Sequence, residues 1–129
     1  MRTFRFRDFV VYKDARAFRK LVKVHLQRFP NVERFRLVDQ IHRSAISVLL
    51  NIAEGSAKKS DKDFAHFLET AIASLNEVIA GFDVALDDGL ITEQQQMLIE
   101  NDGEKIAKQI GSFIRCLRPS LRQKPIANC

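Results

Sequence analysis

The sequence is poor in residues that interrupt or cross-link a chain. Its 129 residues include three prolines, five glycines, two cysteines and no tryptophan. An all-β domain needs many tight turns, which are built largely from glycine and proline, so the composition argues against that class. The longest apolar runs are only a few residues long, which excludes a transmembrane helix. Long helices are therefore the expected secondary structure.

The scarcity of cysteine indicates the type of cellular compartment in which the protein is expected to fold. Cys116 and Cys129 are not expected to form a disulfide framework, because a chain of this length buries about two-thirds of its unfolded surface without one. Arg2, Arg5 and Arg7 interrupt any apolar run near the N-terminus, so no secretory signal is expected. We expect one domain over residues 1–129 in a reducing, cytoplasmic setting.

Apolar residues recur every three or four positions in four segments, as they do on one face of an amphipathic helix. The first predicted helix lies between Asp8, a candidate N-cap, and Pro30, and the second runs from Glu33 to about Ala57. The four expected core stripes are Val11, Ala15, Phe18, Val22, Leu26 and Phe29; Leu37, Ile41, Ala45, Val48 and Ile52; Phe64, Leu68, Ala71, Leu75, Val78, Phe82 and Leu86; and Ile99, Ile106, Ile110, Phe113 and Leu117.

The boundaries of the last two helices carry local signals. Ser60 is a predicted N-cap, residues 87–89 read as a turn, and Thr92 with Gln95 predicts a capping box. Short loops between four helices of similar length favour an antiparallel up-and-down four-helix bundle. Residues 1–8 form an N-terminal arm in this interpretation, and residues 120–129, which show no period, form a loose tail.

The second predicted helix carries another apolar stripe besides its core stripe. Ile46, Leu50, Ala53 and Ala57 recur at helical spacing, rotated about 120° or more from the core stripe. One bundle core cannot bury both sides of a helix. We call these four residues the outer stripe and predict that they form an oligomer interface.

Charge is distributed unevenly along the chain. The formal net charge is +5 with a pI near 9.5. Residues 1–30 contain nine Lys or Arg and two acidic residues, whereas residues 58–89 contain three and seven. A basic balance of this size is weak support for nucleic-acid binding on its own.

Part of this charge lies on one side of the first predicted helix. Lys13, Arg16, Lys20 and Lys23, here called the basic ridge, fall almost opposite the core stripe, with Arg19 beside them. The functional interpretation is a strip that contacts phosphates of RNA or DNA. The alternatives are a solvated face, or pairing with the acidic third helix of the same or a neighbouring subunit.

The N-terminal arm alternates arginine with phenylalanine. Arg2, Arg5 and Arg7 are candidate nucleic-acid contacts, because single-strand-binding surfaces combine cations with rings on which bases stack. An arm that docks its phenylalanines on the bundle or on a neighbouring subunit is the favoured alternative. The chain has no RNP-like motif.

Several strings of residues resemble one known family. They are Phe6, Asp8, Val11 and Tyr12; Phe29 and Pro30; Gln40, Arg43, Ser44 and Ala45; the run NIAEG at 51–55; and Phe64, Phe67, Leu68, Ala71, Ser74, Leu75 and Glu77. Over roughly residues 4–89 the chain is similar to the small proteins encoded within intervening sequences of bacterial 23S ribosomal RNA genes. It departs from the commonest pattern at Ile72 and Ala73, where similar proteins often have Arg and Gly.

The resemblance implies a left-handed four-helix bundle that assembles as a homo-oligomeric ring, usually a pentamer, with no assigned enzymatic activity. A more distant relative in the fold family is the accessory protein of diversity-generating retroelements, which binds nucleic acid and a reverse transcriptase. By that analogy a larger nucleoprotein enzyme is a candidate partner. Fold-level analogy does not settle function.

Asn51 and Glu54, within the NIAEG run, have two interpretations. They could form a ligand or partner site. The favoured interpretation is structural, with Gly55 allowing a close helix crossing, Asn51 making an inter-helix hydrogen bond and Glu54 pairing with Arg43.

No constellation of residues predicts catalysis, a metal or a cofactor. A di-iron bundle needs Glu-x-x-His motifs, and this chain has none. No Gly-rich phosphate loop, CxxC or GxSxG motif is present. We therefore expect a non-enzyme, either a nucleic-acid-binding oligomer or, alternatively, a structural protein-protein adaptor.

Overall fold

The computed structural model describes residues 3–118. Within this range the chain is all-α, with no strand and four long helices: α1 (Val10–Leu26), α2 (Asp39–Ser56), α3 (Asp61–Asp87) and α4 (Glu93–Leu117). A short 3₁₀ turn, Arg5–Asp8, precedes α1, and a second, Asn31–Glu33, follows it. The all-α prediction is confirmed. The expected tail at 120–129 lies outside the described residues.

The four helices enclose one apolar core. Helix α1 packs against α2 and α4, and α3 packs against the same two helices, an arrangement consistent with a four-helix bundle. Each predicted stripe supplies side chains with essentially no exposed surface, such as Val22, Ile52, Leu68 and Ile110. The predicted core is confirmed, although Leu86, Phe113 and Leu117 lie at its edge rather than inside it.

Local hydrogen bonds fix both ends of the α3–α4 connection and the start of α3. The Ser60 hydroxyl accepts from the backbone N–H of Asp63 at 3.1 Å. Thr92 and Gln95 form the predicted capping box, in which each side chain accepts from the other's backbone N–H, at 2.9 and 3.1 Å. Each cap of this kind contributes about 1 kcal/mol.

Helix α3 ends in a Schellman motif. The N–H of Leu90 donates to the Ala85 carbonyl at 2.9 Å, and that of Gly89 donates to the Leu86 carbonyl at 3.0 Å. Gly89 has φ +74°, a left-handed conformation that favours glycine. The predicted turn is confirmed.

Two local predictions are wrong. Asp8 does not cap α1, because it belongs to the preceding 3₁₀ turn and Phe9 occupies the N-cap position without a side-chain cap. The second helix is not a continuous α-helix from Glu33, because Arg34–Val38 winds as one π-helical turn before α2 begins.

Helices α2 and α3 approach each other closely at Gly55. A Cβ atom at this position would lie 2.8 Å from the Phe67 Cβ and 2.9 Å from the Phe64 Cδ1. The Phe67 Cβ is fixed to the backbone, so side-chain rotation cannot relieve the contact. The predicted close crossing at Gly55 is confirmed.

We predict that Gly55→Ala lowers the free energy of unfolding by about 1–3 kcal/mol, because it overpacks the α2–α3 contact. The matched control is Gly111→Ala on α4, where an added Cβ meets nothing within 4 Å. That variant should gain up to about 1 kcal/mol from helix propensity. Denaturant unfolding measures both, and equal effects of the two variants would contradict the close-contact argument.

Candidate nucleic-acid interface

The basic ridge lies on the solvent side of α1. Lys13, Arg16, Lys20 and Lys23 are all exposed, while Arg19 beside them is half-buried. This position follows from the sequence, since Val11, Phe18 and Val22 occupy the opposite side of the helix and are buried. At 1.5 Å per residue the ridge extends about 15 Å, a length that spans roughly four phosphates of one duplex strand.

The ridge cations have no acidic partners within residues 3–118. None of the four pairs with a carboxylate there, and the ion pairs between Lys108 and Glu104 and between Arg118 and Glu69 lie on other helices. Pairing with α3 of the same chain is therefore not how the ridge charge is balanced. The unpaired cations repel one another and attract polyanions.

One ridge residue is positioned by an aromatic ring. The Arg16 guanidinium lies 6.0 Å from the centroid of the Tyr12 ring. Tyr12 in turn meets Phe6 edge-on at 4.9 Å. This contact leaves the guanidinium on the exposed side of α1 and reduces the side-chain freedom lost when an anion binds.

The N-terminal arm docks on the bundle, as the favoured alternative predicted. Phe9 stacks on Phe64 at 6.2 Å and meets Phe113 edge-on at 5.2 Å. Arg7 lies over the rings of Phe4 and Phe6, at 5.2 and 6.0 Å. Arg2 lies outside the described residues.

Arg5 has a structural contact that the sequence did not reveal. Its Nε and Nη2 atoms donate to the Ser56 carbonyl at 3.2 and 2.8 Å. Ser56 is the last residue of α2, so a cation here satisfies a free carbonyl at the negative end of the helix dipole. The guanidinium also lies 5.7 Å from the centroids of both Phe9 and Phe64. Arg5 thus fastens the arm to α2.

The outer stripe of α2 is uncovered in the single chain. Leu50 is 61% exposed, Ala57 is exposed, and Ile46 and Ala53 are half-buried. An uncovered leucine with apolar neighbours at helical spacing is typical of a surface that another protein chain buries.

Asn51 of the NIAEG run supports a hydroxyl contact between α2 and α3. Asn51 Nδ2 donates to the carbonyl and the hydroxyl of Ser47, at 2.8 and 3.0 Å. The Ser47 hydroxyl shares a 2.8 Å hydrogen bond with that of Ser74 on α3. Asn51 therefore acts on α3 through Ser47 rather than directly. Glu54 and Arg43 are both exposed, and within the described part of the chain no ion pair joins them.

A second polar contact joins the same helices nearer the start of α2. Glu77 on α3 accepts from the Ser44 hydroxyl at 3.0 Å and from Gln40 Nε2 at 3.4 Å. These residues belong to the strings that carried the family resemblance. Their role in the structure is to align α2 with α3.

The described residues contain no cluster suited to metal binding. No group of three or more His, Cys, Asp or Glu side chains comes together within residues 3–118. Glu69 pairs with Arg118 instead of joining His66, and His66 meets the Phe67 ring edge-on. No helix in that range is long and apolar enough to cross a membrane.

A small cleft of about 190 Å³ lies between α1 and α4. Its lining includes Asp14, Asp102 and Lys105. Asp14 also accepts a hydrogen bond from Gln109 Nε2 at 2.8 Å. Two carboxylates beside a lysine do not form a group suited to holding a metal ion.

Sequence reasoning missed one exposed aromatic site. Phe35 is 81% exposed and lies between the exposed Arg34 and Arg36 in the π-helical turn before α2. The signal was available, because the triplet Arg-Phe-Arg also occurs at residues 5–7 of the arm. The triplet at 5–7 docks on the bundle, whereas the triplet at 34–36 faces solvent.

Comparison with known proteins identifies the family. A family model described as 23S rRNA-intervening sequence protein matches residues 7–112. The chain belongs to this family. The match covers α1, α2, α3 and most of α4, so it includes the basic ridge and the outer stripe but neither Arg2 nor Arg5.

A solved structure of a related protein supports the assigned fold. A protein with unknown function from the S23 ribosomal protein family of Bacteroides thetaiotaomicron is similar, with a TM-score of 0.76 and 28% sequence identity. The similarity covers 82% of this chain and 96% of that chain. No curated protein matches the chain. Membership of the 23S rRNA-intervening sequence protein family therefore confirms the resemblance and leaves the function to be argued from the surface.

We predict that Arg5 and Lys13, two exposed cations of this family member, differ in their effect on stability. Arg5→Ala should lower the free energy of unfolding by about 1 kcal/mol, because two hydrogen bonds to Ser56 are lost from a partly solvated site. Lys13→Ala should change it by less than about 0.5 kcal/mol, because Lys13 has no ion-pair partner within residues 3–118. Thermal or denaturant unfolding distinguishes them, and equal stabilities would show that Arg5 does not fasten the arm.

Proposed function

We propose that this protein is a non-catalytic, oligomeric four-helix bundle that binds RNA or DNA through the basic ridge of α1. The observation that carries the proposal is that Lys13, Arg16, Lys20 and Lys23 share one exposed side and have no acidic partner within residues 3–118. Phosphate groups supply the missing negative charge. Because such contacts are made to the backbone of the nucleic acid, they carry little sequence preference.

The proposed architecture is an antiparallel up-and-down, left-handed bundle that closes into a cytoplasmic homo-oligomeric ring, with a pentamer as the expected number. Packing of α1 against both α2 and α4 supports the order of the helices. The exposed Leu50 of the outer stripe supports assembly. In a ring the ridge is repeated once per subunit, so several weak phosphate contacts act together.

The alternative function is a protein-protein adaptor in which the ridge binds an acidic protein surface. The observation that favours it is the row of exposed carboxylates near the end of α3, at Asp83, Asp87 and Asp88. These could meet the ridge of a neighbouring subunit. A larger nucleoprotein enzyme is a candidate partner under either function, through its nucleic acid or through its protein surface.

We predict that the affinity for nucleic acid falls steeply with salt. For Z neutralised phosphates, the slope of log affinity against log salt is about −0.9Z on duplex DNA and about −0.7Z on single strands. The double variant Arg16→Ala with Lys20→Ala should flatten that slope by up to about 1.8 or 1.4 for each engaged subunit. Fluorescence anisotropy at several salt concentrations measures it.

The matched control removes the same charge from another helix. Lys105 and Lys108 are exposed on α4, and replacing both by alanine should leave the slope unchanged. If the two double variants behave alike, net charge rather than the ridge governs binding. If the wild-type protein binds no nucleic acid even at low salt, the adaptor function becomes the better account.

We predict that Leu50→Glu dissociates the oligomer, since it places a charge in the centre of the outer stripe. Light scattering should show the wild-type protein as a closed oligomer and the variant as a smaller species with unchanged helicity. The matched control is Leu98→Glu, because Leu98 is a similarly exposed leucine, at 50%, on α4. A monomeric wild-type protein at micromolar concentration would contradict the assembly.

A further inference from the structure

The turn Arg34–Val38 presents an aromatic ring to solvent. Phe35 is the most exposed large apolar side chain in the described part of the chain, and Val32 nearby is 63% exposed. Phenylalanine is among the residues most often buried in folded proteins. A ring held almost fully in water is therefore a feature that folding alone does not explain.

The surroundings of the ring are cationic. Arg34 and Arg36 are both exposed, and neither pairs with a carboxylate within residues 3–118. The Arg34 guanidinium lies 5.8 Å from the centroid of the Phe35 ring. This mixture of one ring and two cations suits a planar apolar ligand that carries negative charge.

The turn is anchored on both sides, so the backbone that carries the ring is positioned before any ligand arrives. Phe29, just before it, meets Phe82 of α3 edge-on at 6.3 Å. Leu37, inside the turn, and Ile41, in the first turn of α2, are buried in the core. The backbone of the turn is π-helical, a geometry that occurs often at functional sites. An anchored backbone reduces the ordering that binding requires.

We propose that Phe35, flanked by Arg34 and Arg36, is a stacking platform for an unpaired base of single-stranded nucleic acid. The base stacks on the exposed ring, and the two guanidinium groups contact the adjoining phosphates. In a duplex every internal base is already stacked between its neighbours, so the platform selects single-stranded segments or ends.

This inference rests on the proposed function and names the ligand class for it. The platform begins eight residues after the last residue of α1, beyond the end of the helix that carries the ridge. The ridge supplies backbone contacts that single and double strands share, whereas Phe35 supplies a contact that only an unpaired base can make. The two contributions are therefore separable by experiment.

The absence of tryptophan from the chain gives a direct test. Phe35→Trp introduces a unique indole that retains the stacking surface. Saturating single-stranded oligonucleotide should quench its fluorescence strongly, and a duplex of the same sequence should quench it little. The control is Val84→Trp, because Val84 is 47% exposed on α3 close to acidic side chains, and its fluorescence should not respond.

Affinity provides a second readout. Phe35→Ala should weaken binding of the single-stranded oligonucleotide about 5- to 150-fold, the range for loss of one stacked base. Duplex affinity and the salt slope should stay at wild-type values, because no charge is removed. Helicity and oligomer mass should also be unchanged, since the ring is exposed in the folded chain.

Three outcomes would overturn the platform while leaving the ridge intact. One is an unchanged single-strand affinity for Phe35→Ala when the Arg16 and Lys20 double variant binds weakly. Another is a tryptophan at 35 that no nucleic acid quenches, which would leave the turn as a contact for protein. The third is a change in oligomer mass for Phe35→Ala, which would place the ring between subunits. If no nucleic acid binds the wild-type protein, the proposed function and the platform both fail.

Discussion

The packing around Phe64 determines how one end of the bundle is built. Its ring lies against the position of Gly55 on α2, stacks on Phe9 at the start of α1 and meets Phe113 of α4 at 5.1 Å. The Arg5 guanidinium covers the same ring. One side chain at the start of α3 therefore connects the arm with other helices, and a Cβ atom at position 55 would press directly on its ring.

The core could be predicted from the sequence because helical periodicity reports directly which side of each helix is buried, as for Phe18 and Phe82. The exposure of the basic ridge followed from the same rule. The contact of Arg5 with Ser56 could not be predicted, since the two residues are 51 positions apart and no local pattern joins them. The triplet Arg34–Arg36 is visible in the sequence, but the exposure of Phe35 depends on a π-helical turn, and the sequence contains no recognised signal for such a turn.

The distribution of surface properties over the helices is consistent with assembly and ligand binding on separate faces. Cations lie on α1, the outer stripe lies on α2, and carboxylates are concentrated on α3. The contacts between Ser47 and Ser74 and between Ser44 and Glu77 join α2 to α3 without using the outer stripe. A helix that is attached to its neighbour through hydroxyl groups on one side keeps its apolar side available.

The connection of α2 to α3 also has a consequence for folding. Only residues 57–60 separate these helices, and their shared interface is the most extensive in the bundle. A short loop closes rapidly and at small entropic cost, so the α2–α3 hairpin is expected to form early. Docking of α1 against α4 joins opposite ends of the chain and therefore has the largest entropic cost of loop closure. This contact is expected to form last.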